Sequence, residues 1–192
     1  MDFYSLLLFS LCIVFPVIHL IHSLPWFKRQ TEKLKFPAKE DKGISILIPC
    51  YNEQGIIDTS IFSMKSLSYS EYDVIYINDG STDDTMLLMN QFLQLKPSSK
   101  QPLRKIAHQK ILGFYQSELY PNIYVIDKVN GGKADSLNAG IELAQKELVI
   151  TLDADTILTD KALPVVNDAF EDENVVAAGE WFMCFRRKLL NR

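Results

Sequence analysis

The sequence predicts an α/β protein built on a doubly wound, mostly parallel sheet, and three observations lead there. Four short segments, "ISILIPC" (44–50), "YDVIYIN" (72–78), "NIYVID" (122–127) and "ELVITL" (147–152), are β-branched and almost continuously apolar, as strands buried on both faces are. Helical patterns lie between them, and repeated strand–helix–strand units imply parallel pairing through crossovers. Each apolar segment ends in a polar cluster: "PCYNE", "NDGSTDDT", "DKVNGGK" and "DAD". In open α/β sheets ligands sit beyond the carboxyl ends of strands, where the winding order reverses, so the pattern predicts a nucleotide site.

Taken in order, the chain begins with an apolar span. From Phe3 to Phe27 there is no Lys, Arg, Asp or Glu, and at ~1.5 Å per residue the span is long enough to cross a ~30 Å hydrocarbon layer. A cleaved signal peptide would carry a basic start and a small-residue cleavage site, and neither is present, so a retained transmembrane helix over 3–27 is expected. His19 and His22 within it are read as neutral, packed side chains, and Trp26 as an interfacial anchor. Residues 28–42 form a basic juxtamembrane linker with Lys28, Arg29, Lys33, Lys35, Lys39 and Lys42 against three acids. The positive-inside rule then places the following domain, 43–185, in the cytoplasm at the cell membrane.

Within that domain a first helix is expected over about 56–67. A second is expected over 82–95, with Ser81 as N-cap and Asp84 three residues on. A third, from Lys133 to about Lys146, places Ala134, Leu137, Ile141 and Ala144 on one face. A fourth over 160–170 tolerates Pro164 in its opening turn, and "NVVAAGEWFMCF" reads as one last strand. The connection 96–121 holds Lys96, Lys100, Arg104, Lys105 and Lys110 with no acid before Glu118. A short amphipathic helix is expected there, packed on the domain with its basic side solvated or lying on an anionic membrane face.

Composition is that of a globular chain of 192 residues, 47% hydrophobic and 23% charged, and a net charge of -4 gives no nucleic-acid signal. Cys12, Cys50 and Cys184 are odd in number and widely spaced, which argues against a disulfide framework or a zinc site and for a reducing compartment.

The chemistry lies in the turns. Asp153 and Asp155 follow a buried strand, and two carboxylates in one crevice repel unless they form a solvated turn or a cation joins them. Oxygen ligands suit Mg2+ or Mn2+ completed by phosphates. A strand–turn–helix explains Gly80 and Ser81 but leaves Asp79 over, a carboxylate able to accept from a base or ribose. "NGGK" offers backbone N–H groups and an ammonium at a helix start, an anion site. It is not a Walker A loop, since Ala134 follows Lys133, and no G-x-G-x-x-G follows the first strand.

In this order, "ISILIPCYNE", "VIYINDGSTDDT", "NGGKADSLNAGI" and "LVITLDAD" resemble the nucleotide-sugar-binding half of family 2 glycosyltransferases, with the GT-A fold, over roughly residues 43–180. With the preceding apolar span the chain is similar to processive synthases of β-linked glycans such as poly-N-acetylglucosamine, hyaluronan and cellulose. The resemblance implies that Pro49, Tyr51 and Glu53 line a uridine pocket and that Asp79 contacts the base, with Asn78 where relatives often carry a second Asp. It implies Lys133 near the diphosphate, Asp153 facing ribose and donor sugar, and Asp155 on the metal.

The resemblance further implies an inverting hexosyl- or N-acetylhexosaminyltransferase that uses a UDP-sugar donor, Mg2+ or Mn2+, and a glycan or lipid-linked acceptor. Other subunits or a C-terminal half are implied as partners. The family's general base and its Gln-x-x-Arg-Trp motif do not occur in the sequence, so the base is expected beyond residue 192. Asp160, Asp168, Glu171, Asp172, Glu173 and Glu180 are read as a solvated acidic face. Two alternatives stand beside the enzyme: a truncated, non-catalytic nucleotide-sugar-binding module, and a poorly folding fragment whose apolar last strand is an open edge.

Overall fold

A computed structural model of the chain describes residues 12–21, 41–100, 102, 105–179 and 183–186. Two compact units, 1–37 and 38–192, are taken separately. In the first, residues 12–21 form a helix, α1, whose side chains are exposed. The His19 ring meets Phe15 edge-on at 4.6 Å between centroids. The rest of the 3–27 span, with His22 and Trp26, and the linker up to residue 40 lie outside the described residues. Among the described residues no helix is long and apolar enough to cross a membrane.

The second unit is an eight-stranded sheet in the order β3-β4-β5-β2-β1-β6-β8-β7. Its centre is the expected parallel set: β1 (Ile44–Cys50), β2 (Tyr72–Asp79), β5 (Ile123–Lys128) and β6 (Leu148–Thr151). β1 pairs in parallel with β2 on one side and β6 on the other, and β2 with β5. The chain therefore winds outward from β1 to β2 and β5, then returns across the sheet to β6. The reversal lies between β1 and β6, which puts the crevice at their carboxyl ends.

Side chains alternate along each strand, and the two faces are covered by different helices. Ile44, Ile46, Ile48 and Cys50 face a core shared with α2 (Ile57–Lys65), α3 (Thr85–Leu93) and α5 (Ala162–Ala169). Leu47, Ile75, Ile77, Ile126 and Val149 face α4 (Lys133–Leu143). The expected face of α4 is wrong in detail. Its buried stripe is Ser136, Ala139, Gly140 and Leu143, while Leu137 and Ile141 lie at the margin. Small residues win because the helix sits close to the sheet: a Cβ on Gly140 would stand 3.2 Å from Leu47 and Ile77 methyls. Pro164 is the third residue of α5, inside the opening turn as expected.

Three further expectations are corrected. The connection after α3 holds no helix over 105–110 but two strands, β3 (Leu95–Pro97) and β4 (Ile111–Ser117), paired antiparallel to each other, and β4 pairs antiparallel with β5. Pairing with β4 satisfies the outer edge of β5, and Phe114 stacks on Tyr124 at 5.8 Å. Nor is Lys100 solvated: it meets Asp73 at 3.1 Å and covers the Tyr124 ring at 4.1 Å. The last apolar run forms two strands, β7 (Ala177–Gly179) and β8 (Met183–Arg186). β8 lies between β6 and β7, so it is not an open edge.

Of the acids read as a solvated face, Asp160, Glu171, Asp172 and Glu173 are exposed and Asp168 is half-buried; Glu171 also pairs with Lys42 at 3.0 Å and the Asp172 carboxylate accepts from the Asn174 N–H at 2.9 Å. Glu180 lies outside the described residues. Cys50 and Cys184 are buried free thiols, and Cys12 is exposed.

Leu47 is fully buried between the sheet and α4. Leu47→Ala should cost about 3 kcal/mol, the middle of the range for such truncations. Urea denaturation checks this, and a loss under about 1 kcal/mol would mean that α4 does not pack there.

Candidate functional site

Beyond the carboxyl ends of β1, β2 and β6 and the start of α4 lies a cleft of about 780 Å³. Every site residue named from the sequence lines it: Pro49, Tyr51 and Glu53 on one wall, Asp79 and Lys133 on another, Asp153 and Asp155 at the mouth. Tyr51 is half exposed there. Sequence reasoning missed other lining residues, among them Ile56, Asn130, Gly132 and Ser136. Asn130 and Gly132 sit inside a quoted motif and were legible as neighbours of Lys133. Ser136 lies in the same motif, on the first turns of the helix, and Ile56 carries no local signal.

Cross-bonds between two loops shape the first wall. Asn52, in the left-handed region at φ 58, donates its N–H to Ser81 Oγ at 3.0 Å and accepts from Thr82 N–H at 2.8 Å. Glu53 N–H donates to Thr85 Oγ1 at 2.8 Å, and Gln54 N–H to Asp83 Oδ2 at 3.2 Å. These bonds explain why α3 starts at Thr85 and not at Thr82: Ser81 serves the neighbouring loop instead of capping. Asp83 accepts from the Thr85 N–H at 3.0 Å in its place. The polar run "GSTDDT" thus ties two loops together by side chain-to-backbone bonds.

The floor is a buried ionic knot. Asp79 Oδ1 accepts from the Lys128 ammonium and from Gly131 N–H at 3.0 Å; Oδ2 accepts from Gly132 N–H at 2.7 Å. Gly80, at φ +66, sits so near the opposite loop that a Cβ would lie 2.8 Å from Asn130 N. Burial alone would push the Asp79 carboxyl up, but Lys128 and the two glycine N–H groups, with the Ser136 hydroxyl beside it, outweigh burial and hold it below its ordinary value. A carboxylate offers about four acceptor positions. Lys128, Gly131 and Gly132 occupy three of them within the chain.

The mouth carries unbalanced negative charge. Lys133 pairs with Asp153, both about 60% exposed, while no side-chain cation pairs with Asp155 among the described residues. The Glu53 carboxyl is pushed up by burial first, then by the charges of Asp155, Asp83 and Asp153. Among the described residues no three His, Cys, Asp or Glu side chains are grouped to hold a metal unaided. The donors are carboxylate oxygens, the set that holds Mg2+ or Mn2+ when phosphate oxygens complete the shell, so the residues fit such a cation.

Because the Asp79 carboxyl is held low in the folded chain, its stabilisation is fully present above the ordinary value of about 3.9 and is lost as pH falls through the lower folded value. Asp79→Asn should cost about 3 kcal/mol at neutral pH, as removing one partner of a buried pair does. It should also flatten the decline in stability below about pH 4. Urea midpoints measured against pH check both, and an unaltered acid decline would detach Asp79 from the ammonium.

Comparison with known proteins bears on this cleft. The profile of Glycosyl transferase family 2 matches residues 45–192. Poly-beta-1,6-N-acetyl-D-glucosamine synthase of Staphylococcus epidermidis is 35% identical over 129 residues, 67% of this chain and 26% of the relative. The synthase of the same name from Staphylococcus aureus strain MSSA476 is 30% identical over 172 residues, 84% of this chain and 35% of that protein. The chain thus spans about a third or less of these relatives. Among solved structures, the mannosyltransferase PcManGT from Pyrobaculum calidifontis, in complex with GDP-Man and Mn2+, superposes with a TM-score of 0.62 at 17% identity, covering 95% of this chain and 57% of that one. TarS of S. aureus in complex with UDP-GlcNAc gives 0.55 at 18% identity, covering 78% and 46%. These structures share the GT-A type of fold with this one. With strand order, cleft and sequence profile in agreement, the chain belongs to glycosyl transferase family 2.

Proposed function

We propose that the chain is the donor-binding part of a membrane-anchored, inverting glycosyltransferase that takes a UDP-sugar and passes a hexosyl or N-acetylhexosaminyl group to a glycan or lipid-linked acceptor. One observation carries this reading: four loops far apart in sequence line one cleft where the winding reverses, with Asp153 and Asp155 at its mouth. The names of the relatives favour N-acetylglucosamine as the sugar.

In this reading Pro49, Tyr51 and Glu53 wall the base pocket, and Asp79 contacts the base. Lys133 and the opening turn of α4 face the diphosphate. Asp153 faces ribose and donor sugar, and Asp155 holds the metal. When bound, Mg2+ or Mn2+ supplies positive charge against the departing UDP; Mn2+ accompanies UDP in the related-fold glucosyl-3-phosphoglycerate synthase of Mycobacterium tuberculosis. Lys133 adds a fixed positive group, of most use as charge develops on the leaving group. The acceptor hydroxyl needs a general base, which we place outside residues 1–192.

The anchor belongs to the same proposal. Residues 3–27 lack charged side chains, their described portion 12–21 is helical and exposed, and a basic stretch follows, which puts the cleft on the cytoplasmic side.

Calorimetry of the full chain with UDP, with and without Mn2+, tests the reading. Asp155→Ala should abolish metal-dependent UDP binding while the stability read from urea denaturation stays within about 0.5 kcal/mol, as for surface changes. Unchanged binding would remove Asp155 from the site. The 192-residue chain given UDP-N-acetylglucosamine and an oligosaccharide acceptor should transfer little or no labelled sugar. Substantial polymer would place the base within it, and the absence of UDP binding would defeat both the enzyme and the binding-module readings.

A further inference from the structure

Lys128 is absent from the cleft lining, yet it is the most deeply buried charged side chain among the described residues, 0% exposed. Lysine is almost never fully buried unless paired, and the desolvation cost of an ammonium is several kcal/mol. Here the ammonium donates to Asp79 Oδ1 and to the Val129 carbonyl at 2.7 Å, and it forms an ion pair with Asp135 Oδ2 at 2.7 Å. Those groups come from the end of β2, the first turn of α4 and the end of β5. Without the ammonium two carboxylates would face one buried volume with nothing between them.

The consequences reach the cleft through Asp79. Its two oxygens hold the N–H groups of Gly131 and Gly132, and Asn130 Nδ2 donates to its carbonyl at 2.9 Å. Asp135 in turn accepts the Gln109 N–H at 2.9 Å, and Val129 N–H donates to the Lys110 carbonyl at 3.0 Å. The turn that delivers Gly132, Lys133 and Ser136 to the cleft is therefore fixed from behind.

We propose that Lys128 is a positioning residue for the donor site: it acts through Asp79 and Asp135 to set the Gly131–Gly132 turn and the start of α4 before any nucleotide arrives. This rests on the donor-binding reading above only where affinity is concerned; the preorganisation itself is a property of the free chain. It also gives Asp79 a second task, as the clamp of the turn as well as a contact for the base.

The test uses the full chain with Lys128→Met, and with Lys128→Met/Asp135→Asn, which removes one charge of each sign and leaves Asp79 intact. Amide hydrogen exchange is followed by NMR without ligand, and UDP affinity by calorimetry with Mn2+. In Lys128→Met the Gly131 and Gly132 amides should exchange about tenfold faster or more, while amides of α2 and α5 are unchanged. UDP affinity should fall about tenfold, as when an outer partner of a metal ligand is lost. The double variant should regain thermal stability without regaining either glycine protection or affinity. Affinity that returns together with stability would reduce Lys128 to a structural group and overturn the proposal, as would unchanged glycine exchange in both variants. Should Lys128→Met fail to fold, the double variant alone decides by the same two readouts. Should the parent chain not bind UDP, the donor-binding reading fails, and the exchange measurement still judges Lys128.

Discussion

Everything at the site depends on β1 being paired in parallel on both sides. A strand in mid-sheet has to satisfy its N–H and C=O groups on two neighbours, and here they are β2 and β6. Parallel pairing brings the carboxyl ends of all three to the same edge of the sheet. Because the chain passes from β1 to one neighbour and reaches the other only after β5, their loops must diverge and leave a crevice. Tyr51, Asp79 and Asp153 are neighbours for that reason, although long stretches of chain separate them.

A crevice between loops is only as well defined as the loops, and this one is braced by polar bonds. The turn after β1 and the turn after β2 exchange side chain-to-backbone bonds through Asn52, Gln54, Ser81, Asp83 and Thr85. The turn after β5 is tied to β2 by the Asp79 carboxylate. Much of the polar character that marks these loops as functional is thus structural, and a smaller set, Tyr51, Glu53, Lys133, Asp153 and Asp155, lines the cleft outside these braces.

Charge is distributed unevenly across that set. On the floor, the buried Lys128 balances a buried Asp79 and a half-buried Asp135, where an unpaired charge is costly. At the mouth, Lys133 pairs with Asp153, and the Glu53 carboxyl is pushed up by burial first and then by the charges of Asp155, Asp83 and Asp153. The floor is complete within the chain. The mouth keeps a surplus of carboxylates that a cation would offset, and this asymmetry distinguishes it from the floor.

The central strands and the turn motifs were legible in the sequence, because burial on both faces and turn chemistry are written in consecutive residues. Ile44–Cys50, the reversal implied by four strand-end clusters, and the residues around the cleft all follow from that local code. The contacting face of α4 was not legible: close approach to Leu47 and Ile77 selects Ser136, Ala139 and Gly140 over the more apolar Leu137 and Ile141. The start of α3 was misplaced because Ser81 bonds a loop 29 residues away. The pairing of β4 with β5 and the division of the last apolar run into β7 and β8 depend on which sheet edges stand open, a property of the assembled sheet. Lys128 escaped notice for the same reason. In sequence it is one lysine at a strand end, and only the arrival of Asp79 and Asp135 from distant segments turns it into a buried cation.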